Sequence, residues 1–371
     1  MEERSEKIRV ALLGDARQVH IHRWSRYLDE AGFDVLTLSL EPVKGVSGFR
    51  RRISVPFFIP DFARYPLAVP VVRGILGRFR PDVVSAHFVP NYGMIAALGG
   101  REPWVLSTWG SDVMVLPAKS AFHMWRTRFV IRRAAYITSD ADVMTRRLIE
   151  LGASADRVIT FPYGVDRKVF FPTVAQPAPR HGQAEPSGPA ILCNRKMEPV
   201  YNIPTLVDGF AEALRLLPEA RLTLAGSGSQ SQPLADRTRR AGVERAVRFT
   251  GDVPHDKMPD LLRDHDIFVT VALSDTTSVS LLEAMACGLF PIVSDIPANR
   301  EWIEDGVNGF VVDPGDAVAV ARAIAAAWEN RDLRESAAKK NAGLIETRAD
   351  WYNNMSVVND LFRRLAGRMG Q

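Results

Sequence analysis

Ser274-Asp275-Thr276-Thr277-Ser278-Val279-Ser280-Leu281-Leu282-Glu283-Ala284-Met285-Ala286-Cys287-Gly288, running on into Leu289-Phe290-Pro291-Ile292-Val293-Ser294-Asp295, is the stretch from which the fold can be read. An apolar strand over 267–272 enters it, a polar turn follows, a short helix is expected to open at about Thr277, Gly288 closes that helix, and a second apolar strand follows at once. The order strand, turn, helix, strand is that of a parallel α/β sheet. Asp275 and Glu283 flank the helix start. A helix N-terminus offers unpaired N–H groups and the positive end of a dipole, so the backbone at Thr277, Ser278 and Val279 could hold a phosphate, with Glu283 in reach of hydroxyls on the same ligand. Read alone, the segment equally suits a helix capped by Ser274 or Asp275 with a solvated Glu283.

Working outward, the same order recurs on both sides. A strand over 7–13, the turn Gly14-Asp15-Ala16-Arg17-Gln18, a helix over 20–31 and a strand over 34–40 open a first doubly wound series. Such sheets bind ligands at the carboxyl ends of their strands, which puts Gly14 at a ligand edge. A basic stretch over 43–80 reads as irregular, and a strand over 82–86 then ends in His87. A strand over 104–107 exits into Thr108-Trp109-Gly110-Ser111-Asp112, where Asp112 is the strongest candidate carboxylate of the first half. His20 and His22, at a helix start, read as structural. Residues 171–189 hold five prolines and two glycines without periodicity, the pattern of a linker.

A second series begins with a strand over 190–193, the loop from Asn194 to Asn202 and an amphipathic helix over 204–217. Ala225-Gly226-Ser227-Gly228-Ser229 follows the next strand, and Gly226 and Gly228 permit close approach to a ligand. The chain therefore divides into a domain over 1–170, the linker, a second domain over 190–345, and a terminal helical segment over 346–371 that can pack back on the first domain.

Bulk properties narrow the class. A chain of 371 residues with 46% hydrophobic and 24% charged residues suits two soluble globular domains. Two separated cysteines argue for a reducing compartment, and the apolar run over 8–13 is too short for a signal core or a membrane span, so a cytoplasmic protein is expected. Residues 1–166 carry 23 basic against 17 acidic side chains. Basic residues over 43–80 and 119–133 alternate with Phe49, Phe57, Phe58, Phe62, Phe122, Trp125 and Phe129, which suits an anionic membrane surface, or simply a solvated basic face. No nucleic-acid motif accompanies them. Asp140-Ala141-Asp142 and Asp264-His265-Asp266 sit at a helix start and a strand approach, where Asp caps and turns, so no metal is expected there.

Taken together, Trp109-Gly110-Ser111-Asp112, Gly164-Val165-Asp166 with Phe170, Arg195 with Glu198-Pro199, Gly226-Ser227-Gly228, and Asp275 to Gly288 running on to Glu301, Gly306 and Asn308-Gly309-Phe310 resemble a retaining glycosyltransferase of family 4 over nearly the whole chain. The resemblance implies the GT-B architecture, two Rossmann-like α/β domains facing across a cleft. It implies a metal-independent retaining hexosyltransferase without cofactor, moving sugar from a nucleotide-diphosphate donor to a carbohydrate or lipid-linked acceptor in polysaccharide or glycoconjugate synthesis. Arg195, supported by Lys196, would hold the diphosphate with the amides of Thr277, Ser278 and Val279, and Gly14, Gly226 and Gly228 would line the donor site. Glu283 would bind the ribose, Asp275 would touch the transferred sugar, and His87, Trp109 and Asp112 would serve the acceptor, Asp112 also in catalysis.

Three positions depart from the family pattern. Asp275 stands where a Glu is usual, Tyr201-Asn202 where Lys-Gly is usual, and Trp109 where many members have His. A nucleotide-sugar-binding module without chemistry, or a GT-B-like epimerase, would share most of the motifs.

Overall fold

The structure, a computed structural model, describes residues 7–55, 59, 61–99, 101–172 and 188–367. Most of the expected linker, and Phe57, Phe58 and the side chain of Phe62 in the basic stretch, lie outside the described residues. The chain forms two compact units: one runs to Pro162 and resumes at Tyr352, the other spans Tyr163–Trp351.

In the first unit, β1 (Arg9–Leu13), β2 (Asp34–Ser39), β3 (Phe49–Arg52), β4 (Val83–His87), β5 (Trp104–Ser107), β6 (Tyr136–Ser139) and β7 (Val158–Thr160) form one parallel sheet in the order β3-β2-β1-β4-β5-β6-β7. Strands such as Val83–His87 are buried at every position because helices cover both faces, which is why they read as apolar runs without alternation. The second unit repeats the plan with β8 (Ala190–Cys193), β9 (Arg221–Ala225), β10 (Val247–Gly251), β11 (Ile267–Thr270), β12 (Phe290–Ser294) and β13 (Phe310–Val312), in the order β10-β9-β8-β11-β12-β13. In each sheet the winding reverses between the first and fourth strands, β1 and β4 or β8 and β11. The crevice at that reversal opens at the strands' carboxyl ends. Gly14 and His87 lie at the first such point, Arg195 and Asp275 at the second.

The stretch over 43–80 differs from the irregular insert expected of it. It contains the edge strand β3 and a helix Asp61–Phe79. The exposed Phe49-Arg50-Arg51-Arg52 has no apolar alternation to announce a strand, and Pro66 and Pro70 inside the helix argue against one. The helix holds because Ala68, Val72, Ile75 and Leu76, at helical spacing, are buried in the first core. At the other end of the chain, Phe362 packs edge-on against Phe33, and Arg363 and Arg364 lie over Phe33 and Tyr136. The first unit's boundary falls at Pro162, and Phe170 is buried in a core cluster of the second unit. Among the described residues no helix is long and apolar enough to cross a membrane.

Candidate functional site

In the second unit the helix Val279–Ala286 opens two residues later than expected, with Ser278 as N-cap and its hydroxyl accepting from the Leu281 amide at 3.3 Å. The first intrahelical backbone bond runs from Leu282 N to Ser278 O, so the amides of Val279 and Ser280 precede it at the open end. Leu281, Leu282, Ala284, Met285 and Ala286 are buried around the helix, which carries Glu283 inward with them. A carboxylate held there needs a polar partner, and His255 supplies one, Nε2 to Oε1 at 3.2 Å. His255 sits beyond β10 and meets Phe170 edge-on at 5.3 Å.

Arg195 follows β8 and is 8% exposed. Its guanidinium donates to Ser278 Oγ and, at 2.6 Å, to Asp275 Oδ2. Burial works against its charge, yet the neighbouring Asp275 carboxylate, together with Tyr201 and Cys193, outweighs that and holds the guanidinium above its ordinary pKa. Its Nε–H is buried without a hydrogen-bond partner. The Tyr201 ring lies beneath the charge, 4.3 Å from ring centroid to guanidinium carbon. Asp275 thus meets Arg195 directly, and its Oδ1 accepts from the Thr276 amide at 3.0 Å. Lys196 is exposed.

The glycines near this site have another reason than a ligand. A Cβ on Gly226 would stand 2.5 Å from the Arg195 carbonyl oxygen, and one on Gly228 2.4 Å from that of Met197. What approaches closely is the loop that carries Arg195. The Gly226 amide is bonded to Gly251 O and the Gly228 amide to Ser231 Oγ, so neither is left for a phosphate. Glu198 ties the two turns together by accepting from Ser229 N and Oγ at 2.9 and 2.6 Å.

In the first unit, Gly14 likewise spends its amide on Leu38 O, and a Cβ there would overlap Ile21 at 2.2 Å and stand 3.6 Å from that of His87. His87 is fully buried rather than open to an acceptor. Its Nδ1 accepts from Trp109 Nε1 at 3.4 Å, which leaves Nε2 to donate to Ser85 Oγ at 3.1 Å. Trp24 meets it edge-on at 4.7 Å. Burial, with His20 nearby, pushes its pKa down to about 3, so the ring is neutral.

Asp112 is also fully buried, and both its oxygens are taken: Oδ2 accepts from Val89 N and Oδ1 from Trp109 N, each at 3.0 Å. Burial pushes its carboxyl up to about 6 even against those bonds. The direct acceptor contact expected of His87 and Asp112 is therefore corrected: they hold Trp109 and the turn at Val89 in place. Trp109 remains half-buried beside His20 at 5.4 Å and Phe88 at 5.8 Å. Phe88 adopts a φ of 74°, a conformation costly for a bulky residue and one that tends to occur at functional edges.

Sequence reasoning passed over His255 and the stacking of Tyr201. His255 had one signal, its place just past a strand's carboxyl end. Asn202 adopts φ 51°, the left-handed region Asn tolerates almost as glycine does, which explains its standing where Gly is usual. Cys193 and Cys287 are buried, their thiols raised to about 11 and about 12, which makes them inert core residues. Among the described residues no group of three His, Cys, Asp or Glu converges as metal ligands would.

The sequence pattern described as Glycosyl transferases group 1 matches residues 179–343, and that described as Glycosyl transferase 4-like matches 9–141. A sulfoquinovosyl transferase of Arabidopsis thaliana is 25% identical over 347 residues, covering 88% of this chain and 66% of its own length. A phosphatidyl-myo-inositol mannosyltransferase of Mycobacterium leprae is 28% identical over 177 residues, covering 47% of this chain and 46% of its own. The chain thus spans between about half and two-thirds of the length of these curated relatives. Among solved structures, sucrose-phosphate synthase from Thermosynechococcus elongatus superposes with a TM-score of 0.82 at 17% identity, covering 97% of this chain and all of that one. Anabaena HepE in complex with UDP-glucose superposes at 0.76 with 19% identity, covering 95% and 99%. The fold is accordingly that of the GT-B glycosyltransferases, and with one pattern matched in each unit the chain belongs to the group 1 glycosyltransferases.

Proposed function

We propose that the protein is a retaining, metal-independent hexosyltransferase that takes a sugar from a nucleoside diphosphate and passes it to a carbohydrate or lipid-linked acceptor. The observation that carries this reading is Arg195: a buried cation with an unpartnered Nε–H, bonded to the cap of the helix Val279–Ala286. Breaking the sugar–phosphate bond builds negative charge on the leaving diphosphate, and a fixed guanidinium beside a helix N-terminus stabilises it where it forms. Glu283, one helical turn further in, suits the ribose hydroxyls, displacing or sharing His255. UDP-glucose, the molecule bound in the HepE complex, is the first donor to try.

At the first sheet's edge Trp109 offers a ring face to an acceptor sugar, with His87 and Asp112 as positioning residues. Neither of them is a free base, which supports same-face transfer in which the departing phosphate takes the acceptor's proton. The Mycobacterium leprae relative is named for phosphatidyl-myo-inositol, so a lipid-linked acceptor at the inner membrane face fits. The helix Ala121–Ile131 suits that surface: Phe122 and Trp125 are 57% and 54% exposed and stack at 5.9 Å, and Arg126 and Arg133 lie over neighbouring rings.

The test is nucleoside diphosphate release from a panel of UDP- and GDP-sugars, with wild type and Glu283→Ala. Turnover lost in the variant is expected, and a wild type that neither binds nor turns over any donor overturns the reading. Sedimentation with liposomes containing anionic lipid, lost in a Phe122→Ser, Trp125→Ser double variant, is expected for the membrane face. Equal sedimentation of both proteins refutes it.

A further inference from the structure

We propose that Tyr201 is the positioning residue for Arg195, an aromatic shelf that lets the leaving-group site work with one buried cation. The inference rests on the donor-site reading above and adds a residue to it. Arg195 has three kinds of neighbour: the hydroxyl of Ser278, the carboxylate of Asp275 and the face of Tyr201. Lys196 beside it in sequence is exposed, so Arg195 and Asp275 are the charges that meet in this pocket.

A diphosphate carries more negative charge than Asp275, and both would claim the same guanidinium N–H groups. Donor binding therefore exchanges one anion for another, and Asp275 leaves the guanidinium for the sugar side of the site. During that exchange the bonds to Asp275 break, while the ring below Arg195 stays. An electron-rich ring face stabilises a cation and holds its plane without offering an anion that must itself be displaced.

The shelf is built to stay fixed. Tyr201 ends a tight helical turn Pro199–Tyr201, its amide bonded to Glu198 O at 3.0 Å, and Glu198 is pinned by Ser229. The next residue, Asn202, reaches Pro314 O at 2.6 Å through its side-chain amide. The Leu273 amide donates to Val200 O at 2.8 Å, which ties the same turn to the segment leading into Asp275. Cation and counter-ion are thus both referenced to the Tyr201 turn.

The experiment is calorimetric titration of wild type, Tyr201→Phe and Tyr201→Leu with UDP, GDP and the matching monophosphates, together with thermal unfolding of each protein. Tyr201→Phe keeps the ring and is expected to bind the diphosphate within about twofold of wild type. Tyr201→Leu is expected to lose roughly tenfold in diphosphate affinity, with monophosphate affinity reduced less. A leucine variant that binds diphosphate as tightly as wild type, or that weakens both nucleotides by the same factor, overturns the assignment. A wild type that binds neither diphosphate overturns the donor-site reading, and this inference with it. If Tyr201→Leu unfolds, Tyr201→Phe and Tyr201→His still decide: a phenylalanine variant weakened tenfold shows that the hydroxyl, not the ring face, matters, and refutes the shelf.

Discussion

Two buried titratable groups of the first unit, His87 and Asp112, pull its stability in opposite directions as pH falls, and substituting either should unmask the other. His87 is held neutral in the fold, its pKa lowered by burial from 6.5 to about 3, so the unfolded chain binds a proton that the folded one refuses below pH 6.5. Its contribution is therefore lost as pH falls. Asp112 has its carboxyl raised by burial from 3.8 to about 6, so the folded chain binds a proton before the unfolded one, and stability rises as pH falls through 6. At about 1.4 kcal/mol per unit, lowering pH from 7 to 5 costs about 2 kcal/mol through His87 and returns about 1 kcal/mol through Asp112. In the wild type the second offsets about half of the first.

Urea unfolding of wild type, His87→Gln and Asp112→Asn at pH 7 and pH 5 reads the difference. Relative to wild type, His87→Gln should gain about 2 kcal/mol on acidification and Asp112→Asn should lose about 1 kcal/mol, whatever each costs at neutral pH. Comparing each protein with itself at two pH values removes the cost of the lost Trp109 or backbone bonds. If all three proteins respond equally to acidification, the burial argument for both side chains is wrong.

Other substitutions test the second unit. Gly226→Ala should lower stability by roughly 2 kcal/mol or more, because φ is 137° and the new methyl meets the Arg195 carbonyl; a thermal midpoint equal to wild type would contradict this. Ser278→Ala removes both the helix cap and an Arg195 acceptor, so about 1 kcal/mol of stability and a measurable part of diphosphate affinity should go together. Trp109→Ala should raise the acceptor KM while leaving donor binding within twofold; an unchanged acceptor KM in a steady-state assay refutes the stacking role. Turnover should survive excess EDTA, since Arg195 and a helix terminus supply the charge, and inhibition reversed by added divalent metal would disprove it.

How much of this was legible in the sequence depended on what fixes each feature. Two doubly wound units were readable because buried parallel strands are short apolar runs ending in Gly, Asp or Ser, as at Gly14 and Ser274. Arg195 and Glu283 were readable because each lies just past a strand or within the helix that follows it. The helix Asp61–Phe79 was not, since its burial overrides the local penalty of Pro66 and Pro70. The roles of Gly226, His87 and Asp112 were also out of reach. Their partners, the Arg195 carbonyl, Trp109 Nε1 and the Val89 amide, lie 31, 22 and 23 residues away, and only packing says whether a polar group at a strand end faces a ligand or a neighbour.

That distinction also orders the chemistry. The second unit concentrates permanent charge at its sheet reversal, Arg195 against Asp275, and leaves the guanidinium short of one acceptor. The first unit does the opposite at the matching place: a neutral imidazole, an indole and a carboxylate saturated by two amides. A transfer that needed a side-chain base on the acceptor would require a solvent-reachable group near pH 7 there; His87 and Asp112 are sealed, and the half-buried His20 beside Trp109 is the histidine of this edge that such a mechanism would have to use. A transfer in which the leaving phosphate accepts the proton needs only a shaped, neutral acceptor edge and a cation on the donor side. The proposed transfer rests on that difference between the two edges. Its sharpest consequence is that His87→Gln, once corrected for folding, should leave the pH profile of kcat unchanged between pH 6 and 8, whereas a vanished acidic limb would identify His87 as the base.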